Sequence, residues 1–161
     1  MDWDTVTAAW SDASGILGAW VIDEMGGADP EWSTFGWDQT MRNAHIFYKE
    51  LVSLQMAAAA LCHRCQQSQI LLLTDNTAVG FAVSKGHSTN PFTNDIINDI
   101  YQKCSASKNT LFVHWVSTKI NRADALTRLA TIPGPRIDIA QLDITRRRVI
   151  TAIPRQGIQA I

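Results

Sequence analysis

Four acidic residues lie at positions where a carboxylate needs a partner. Asp12 lies inside a strand-like segment, where a buried charge costs several kcal/mol unless a cation or hydrogen bonds compensate it. Glu50 lies in a helical pattern, Asp75 ends an apolar strand, and Asp124 lies in the last strong helical pattern. Carboxylates without histidine or cysteine suit magnesium, which prefers oxygen ligands. We therefore predict that the four acids converge on divalent metal.

Each acid also has a structural alternative when it is taken singly. A glutamate at the edge of a helix is more often a surface residue, and Asp75 would also suit the start of a turn. Asn121 could cap the last helix with Asp124 at its third position, where an acid suits the helix dipole. The presence of all four acids together favours the metal site.

Length and composition limit the class of protein. The 161 residues, 46% of them hydrophobic and 18% charged, are typical of one soluble globular domain. The longest apolar run is far shorter than the roughly 20 residues of a membrane-spanning helix. The N-terminus also lacks the pattern of a signal peptide. We therefore expect an intracellular protein without a membrane partner.

The cysteines do not indicate a zinc site. Cys62, Cys65 and Cys104 are an odd number, so we expect reduced thiols rather than a disulfide framework. The segment Cys62-His63-Arg64-Cys65 lies within a helical pattern, and no second ligand pair occurs elsewhere. Cys65 falls on the apolar stripe of that helix, which predicts a small buried hydrophobic residue.

Charge is unevenly distributed along the chain. Residues 1–120 carry seven basic and twelve acidic residues, whereas residues 121–161 carry seven and three. Pro133-Gly134-Pro135 is a boundary signal, and it divides the chain into a domain over 1–130 and a basic extension or linker over 131–161. Alternating residues around Arg146-Arg147-Arg148 predict a strand or an extended arm, which would contact phosphates or simply be solvated.

Hydrophobic periodicity predicts an alternation of strands and helices. The predicted elements are three antiparallel strands over 6–12, 16–23 and 31–38, a helix over 44–66, a strand over 70–74, a helix over 75–84, a helix that begins at Asn90-Pro91, a strand over 111–116 and a helix over 121–128.

This order of elements and acids resembles the ribonuclease H fold over residues 4–130. The motifs that carry the resemblance are Ser11-Asp12-Ala13-Ser14, Glu50, Thr74-Asp75-Asn76 and Asn121-x-Ala123-Asp124-x-Leu126-Thr127-Arg128. The last motif, preceded by His114-Trp115-Val116-Ser117, is similar to ribonuclease H domains fused to reverse transcriptases of LTR and DIRS-type retroelements. Related integrases and transposases usually place the glutamate last, whereas here it is second.

The resemblance implies an α/β fold and a two-metal reaction. The expected sheet is mixed and five-stranded, with three antiparallel strands and then two further strands, flanked by helices. Two Mg²⁺ ions about 4 Å apart, or Mn²⁺ in their place, would serve phosphodiester hydrolysis. Asp12 would bridge both ions, Asp124 would help hold the ion that activates water, and Glu50 with Asp75 would hold the ion at the leaving group.

The implied substrate is the RNA strand of an RNA/DNA hybrid, recognised at its 2′-hydroxyls. The expected substrate-binding residues are Ser14, Asn76, Lys119, Asn121 and Arg128. Lys119 stands where many family members have a histidine that assists product release, which implies slower turnover. Residues 85–90 are too short for a basic handle, so an adjacent reverse transcriptase polymerase module would supply affinity for the hybrid.

Two other functions stay open at this point. One is a non-catalytic ribonuclease H-like domain that serves as a structural or nucleic-acid-binding module. The other is a related nuclease that acts on DNA. Four acids kept together argue against a scaffold, because unpaired buried carboxylates add nothing to its stability.

Overall fold

The computed structural model describes residues 6–24, 30–128 and 149–152, and a six-stranded sheet lies at its centre. Three strands form an antiparallel meander: β1 (Thr7–Ala13), β2 (Leu17–Glu24) and β3 (Glu31–Gly36). The Ser14 hydroxyl stabilises the first turn, since it accepts hydrogen bonds from the backbone of Ile16 and Leu17. The predicted meander is confirmed, with β3 ending before residue 38 because Asp38 caps the next helix.

Two further strands extend the sheet beyond β1. The strand β4 (Gln69–Thr74) lies parallel to β1, and β5 (Thr110–Trp115) lies parallel to β4. The order β3-β2-β1-β4-β5 confirms the predicted mixed sheet of five strands. It also places β1 and β4 side by side, so that their carboxyl ends lie at the same edge.

A sixth strand, β6 (Val149–Ala152), pairs antiparallel with β5. It comes from the stretch for which the sequence predicted a strand or an extended arm, and β-branched residues favour the strand. Its pairing covers the backbone groups on the outer edge of β5. The division at residue 130 stays a prediction, and the boundary signal at 133–135 and the three arginines at 146–148 lie outside the described residues.

Helices flank the sheet in the predicted order. They are α1 (Gln39–Arg42), α2 (Ile46–Arg64), α3 (Thr77–Lys85), α4 (Pro91–Ala106) and α5 (Asp124–Thr127). The single turn α1 was not predicted, because four residues are too few to show a helical period. The side chain of Asn90 caps α4 as predicted, and that of Asn76 caps α3. None of the helices within the described residues is long and apolar enough to cross a membrane.

The last helix differs most from its prediction. Residues Thr118–Ile120 form a 3₁₀ turn, and α5 begins only at Asp124. The capping alternative is wrong, because Asp124 is the first residue of α5 and Ala123, without a side-chain hydrogen bond, occupies the cap position. The side-chain Oδ1 atom of Asn121 instead accepts a hydrogen bond from the backbone N–H of Ala123 at 3.1 Å. This leaves the Asn121 amide free to contact the sheet.

The core lies on both faces of the central strands. Ala9 and Leu72 belong to a cluster with α2, α3 and α4, whereas Trp10, Leu71 and Leu73 belong to a second cluster that includes a residue of α5. This division follows from the alternation of side chains along a strand. The central strands are therefore covered on both sides, and polar groups at their ends are enclosed.

Two local contacts hold α2 and the segment before α5 against β2. A Cβ atom at Gly18 would lie 2.5 Å from the Ser53 hydroxyl, so glycine permits the close approach of α2 to the sheet. Arg122 forms an ion pair with Asp23 at 2.6 Å between Nε and Oδ2, and each side chain is only 3% exposed. These contacts fix the two elements that carry Glu50 and Asp124.

Candidate metal centre

Three of the predicted acids meet at the carboxyl edge of the central strands. Asp12 lies near the end of β1, Asp75 follows β4 directly, and Glu50 lies in the second turn of α2. One oxygen from each carboxylate lies within 4.8 Å of the other two. The parallel pairing of β1 with β4 and the close packing of α2 on the sheet produce this arrangement. We call Asp12, Glu50 and Asp75 the acidic cluster.

The acidic cluster is largely closed to solvent and poorly compensated. Asp12 is 4% and Glu50 5% exposed, and Asp75 is half-buried. Asp12 accepts a 3.4 Å hydrogen bond from the Thr127 hydroxyl, and Asp75 accepts one of the same length from the Asn121 amide. The buried Oε2 atom of Glu50 has no hydrogen-bond partner among the described residues. None of the ion pairs found in this part of the chain includes a member of the cluster.

Crowding of the carboxylates changes their protonation. Burial, and then the charge of Asp75, raises the pKa of Asp12 from 3.8 to about 7. Burial, followed by the charge of Asp12, raises the pKa of Glu50 from 4.5 to about 9. Burial also raises the pKa of Asp75. The protein alone therefore holds protons at this site near neutral pH, because three adjacent negative charges are costly in a poorly solvated site.

A divalent cation fits this arrangement of donors. The cluster offers only carboxylate oxygens, which are the ligands that Mg²⁺ and Mn²⁺ prefer. The unpartnered Oε2 of Glu50 is a buried acceptor without a donor, and such an atom costs about 1–3 kcal/mol unless something binds it. A cation would satisfy this oxygen and neutralise the charges that raise the three pKa values.

The fourth acid, Asp124, lies beside the acidic cluster rather than in it. Its carboxylate is absent from the set within 4.8 Å, and its side chain is 26% exposed. Its Oδ2 atom lies 3.4 Å from Nε of Arg128, four residues further along the chain. Its charge nevertheless raises the pKa of Asp12 and of Asp75. The structure therefore brings three acids together and places the fourth within electrostatic range.

Solved structures share this architecture. No family model and no curated protein matches the chain. The chain is similar to RNase H1 of the halophilic archaeon Halobacterium salinarum NRC-1, with a TM-score of 0.61 and 21% identity over 78% of this chain and 96% of that chain. It is also similar to the N-terminal RNase H domain of rv2228c from Mycobacterium tuberculosis, with a TM-score of 0.65 and 15% identity over 78% and 93%. The chain has a ribonuclease H-like fold.

A larger protein contains the same fold as one part of its chain. The foamy viral protease-reverse transcriptase, solved in complex with an RNA/DNA hybrid, is similar with a TM-score of 0.53 and 14% identity. The match covers 84% of this chain and 18% of the viral chain. The ribonuclease H-like fold therefore occurs both as a separate domain and within a reverse transcriptase.

Three of the predicted substrate-binding residues of this ribonuclease H-like domain make internal contacts. The Ser14 hydroxyl lies 3.2 Å from the Thr127 carbonyl, to which it donates a hydrogen bond that joins the β1–β2 turn to α5. Asn76 caps α3 by accepting a hydrogen bond from Val79. Asn121 is 4% exposed and donates a 2.9 Å hydrogen bond to the Ser11 carbonyl. These residues hold the site in place, and their contact with a substrate stays a prediction.

The two basic residues predicted to bind substrate lie at the surface. Lys119 is exposed in the 3₁₀ turn, and the Arg128 side chain is 71% exposed beside Asp124. Both belong to the segment that carries Asp124 to the edge of the acidic cluster. They are therefore placed to meet an anionic ligand that approaches this edge, although their role stays a prediction.

The sequence did not reveal two tryptophans that support the site. Trp115 donates a 3.0 Å hydrogen bond from its indole nitrogen to the Asp75 carbonyl. Trp37 donates a 2.9 Å hydrogen bond to the Ser14 carbonyl. A tryptophan in a strand pattern reads as a packing residue, and only the fold shows that these two also fix the backbone at both ends of the site.

Proposed function

We propose that the protein is a metal-dependent endonuclease that hydrolyses the RNA strand of RNA/DNA hybrids. The observation that carries this proposal is the acidic cluster, in which three carboxylates lie together without an ion-pair partner among the described residues. The ribonuclease H-like fold supports the same reaction, since this chain is similar to solved RNase H structures and places its acids at the carboxyl edge of its central strands. A scaffold gains nothing from a site that repels itself.

In this proposal Asp12, Glu50 and Asp75 hold Mg²⁺ or Mn²⁺, and Asp124 completes the set. When bound, two such ions would supply a nucleophilic water and would stabilise the leaving 3′ oxygen. Asp12 would hold metal together with both Asp75 and Asp124, whose charges raise its pKa. Thr127 and Asn121 orient Asp12 and Asp75 through their hydrogen bonds. The hydrolysis would therefore depend on a rigid carboxylate frame.

We further propose that the domain belongs to a retroelement polyprotein, where it works beside a reverse transcriptase polymerase module. The similarity to part of a viral reverse transcriptase supports this context. Ser14, Asn76, Lys119, Asn121 and Arg128 would contact the hybrid near the scissile phosphate. The polymerase module would add affinity. An intracellular location stays a prediction of the same proposal.

Cleavage of a uniformly labelled RNA/DNA hybrid tests the nuclease. Purified protein is incubated with the hybrid in Mg²⁺ or Mn²⁺, beside single-stranded RNA, double-stranded RNA and double-stranded DNA. The expected result is cleavage of the RNA strand of the hybrid alone. The variant Asp75→Asn should abolish it, whereas Asp95→Asn, an exposed acid on α4, should not.

Two results would contradict parts of the proposal. Cleavage of double-stranded DNA at a comparable rate would assign the site to a DNA nuclease. No cleavage in either metal, with or without an added polymerase module, would leave a non-catalytic module as the function. Activity that appears only with the polymerase module would instead support the reverse transcriptase context.

A further inference from the structure

Two cysteines on neighbouring helices face each other far from the acidic cluster. Cys62 lies in the last turn of α2 and Cys104 in the last turn of α4, and their sulfur atoms are 3.8 Å apart. Cys62 comes twelve positions after Glu50 on α2, which is about 18 Å along the helix. This cysteine pair is therefore independent of the proposed nuclease site.

We propose that Cys62 and Cys104 form a reversible disulfide when the protein meets a hydroperoxide. A disulfide needs a sulfur–sulfur distance of about 2.05 Å. The two sulfur atoms already lie 3.8 Å apart across the helix interface, so they need to approach each other by less than about 2 Å. The backbone around the pair is fixed, because Asn109 donates a 2.8 Å hydrogen bond to the Cys65 carbonyl and accepts one from Ser68.

The two thiols differ in the way that such a reaction requires. Cys62 is half-buried, and its hydrogen bonding with Cys104, and then with Ser107 and Asn109, lowers its pKa to about 6 although burial opposes this. Cys104 is fully buried, and its pKa is raised by the hydrogen bond to Cys62 and by burial. Because Cys62 is the more accessible of the two, it would meet the peroxide first, and the buried Cys104 would resolve the intermediate.

A metal site is not the better account of these cysteines. Within the described part of the chain, the acidic cluster is the only group of three or more metal-ligating side chains close enough to share an ion. Neither Cys65 nor His63 completes a set with the cysteine pair.

The chemistry balances with hydrogen peroxide as the oxidant. The Cys62 thiolate attacks one peroxide oxygen, the O–O bond breaks, and the released hydroxide takes a proton to leave as water. The Cys104 sulfur then attacks the sulfur of the Cys62 sulfenic acid, so that an S–S bond forms and the S–O bond breaks. The thiol proton leaves with the hydroxide as a second water. Two thiols and one peroxide thus give one disulfide and two waters.

Peptide mapping of the whole protein tests the proposal without any variant. The protein is treated with hydrogen peroxide, digested without reductant and analysed by mass spectrometry. The expected product is one linked pair of peptides that contains Cys62 and Cys104, and dithiothreitol should remove it. The melting temperature should rise on oxidation, since the bond joins residues 42 positions apart.

Three variants assign the roles. Cys104→Ala should stop at a sulfenic acid that dimedone traps at Cys62. In Cys62→Ala, peroxide should oxidise the remaining thiols at least about tenfold more slowly than it oxidises those of the unsubstituted protein. The reason is that an ordinary thiol near pKa 8.5 is only a few per cent ionised at pH 7. Cys65→Ala is the matched control and should behave as the unsubstituted protein. Linkage through Cys65, or an unlinked wild-type protein after complete peroxide consumption, would overturn the proposal. Hybrid cleavage by Cys62→Ala reports on the nuclease separately.

Discussion

Two buried acidic sites flank the central strands, and they differ in the source of their counter-charge. Asp23 on β2 pairs with Arg122, and both side chains are almost fully enclosed. The acidic cluster has no such partner among the described residues, and one oxygen of Glu50 lacks even a hydrogen bond. The first site is neutral within the protein. The second becomes neutral only by binding protons or a cation.

This difference separates a structural site from a functional one. A buried ion pair contributes little net stability, but losing one partner leaves a charge that costs several kcal/mol. The Asp23–Arg122 pair therefore specifies where the chain before α5 docks. The acidic cluster destabilises the fold around neutral pH when no cation is bound, and such a cost is expected where a ligand supplies the missing charge.

Removal of one cluster carboxylate gives the largest expected effect. The variant Asp12→Asn should reduce hybrid cleavage by at least about 10³-fold, because a catalytic metal contributes several kcal/mol and each 1.4 kcal/mol is tenfold. Its melting temperature in EDTA should equal or exceed that of the parent, since a repulsive charge is lost. Single-turnover cleavage and calorimetry measure both quantities. A large loss of stability would instead show that Asp12 has a structural role like that of Asp23.

Breaking the Asp23–Arg122 pair tests whether this buried site, unlike the acidic cluster, is needed for stability. The variant Arg122→Met should lower the free energy of unfolding by about 3–5 kcal/mol, because it leaves Asp23 buried and unpaired. Arg64→Met, at the exposed pair with Glu31, is the control and should cost less than about 1 kcal/mol. Denaturant unfolding gives both values. Equal costs for the two variants would show that the buried pair carries no special structural role.

Raising the pH should destabilise the fold through the acidic cluster, and adding Mg²⁺ should stabilise it. The folded protein holds the pKa values of Asp12 and Glu50 at about 7 and 9, against 3.8 and 4.5 ordinarily. The folded state therefore binds more protons than the unfolded chain, and stability in EDTA should fall as the pH rises from about 4 to 9. Mg²⁺ at 100 times its Kd should restore about 2.7 kcal/mol at the alkaline end.

The measurement is thermal unfolding across pH, with and without Mg²⁺. The double variant Asp12→Asn with Glu50→Gln is the control, since it removes both groups. Its stability in EDTA should therefore depend less on pH than that of the parent. A parent whose stability rises between pH 5 and 9 in EDTA, relative to this variant, would contradict the assigned pKa directions. Stabilisation of the variant by Mg²⁺ would place the ion elsewhere.

Asp124 should give the smallest effect of the four acids. It lies outside the set within 4.8 Å, so Asp124→Asn should reduce cleavage by about 10- to 100-fold, as substitutions around a metal site do. The Mg²⁺ concentration that gives half-maximal cleavage should also be higher for this variant than for the parent. Titration of the cleavage rate with Mg²⁺ measures both. A loss as large as that of Asp12→Asn would show that Asp124 moves into the site when metal binds.

The sequence predicted the elements and most of the site because both depend on local patterns. The apolar runs around Asp12 and before Asp75 identify buried strands, and the four-and-three spacing that follows Glu50 identifies α2. The parallel pairing of β1 with β4 then brings Asp12 and Asp75 together, and the packing of α2 on the sheet adds Glu50. The one-turn α1 carries no period, and the short α5 was predicted too long, since Asn121 resembles a cap.

Contacts between distant residues account for what the sequence could not show. Asn121 bonds to the Ser11 carbonyl 110 residues away, and the Thr127 hydroxyl reaches Asp12 from 115 residues away. Nothing in the local sequence of either residue predicts these partners. The same holds for the Cys62–Cys104 contact, because Cys65 lies on the apolar stripe and looks equally buried until α4 is in place.

The pairing of β6 with β5 has a consequence for the length of chain that can behave as an independent unit. A protein that ends near residue 130 would contain every acid of the site, yet its β5 would carry a row of unpaired backbone groups. Such an edge is a template for another molecule's strand, and it favours aggregation. The shortest well-behaved form of this protein should therefore extend past residue 152.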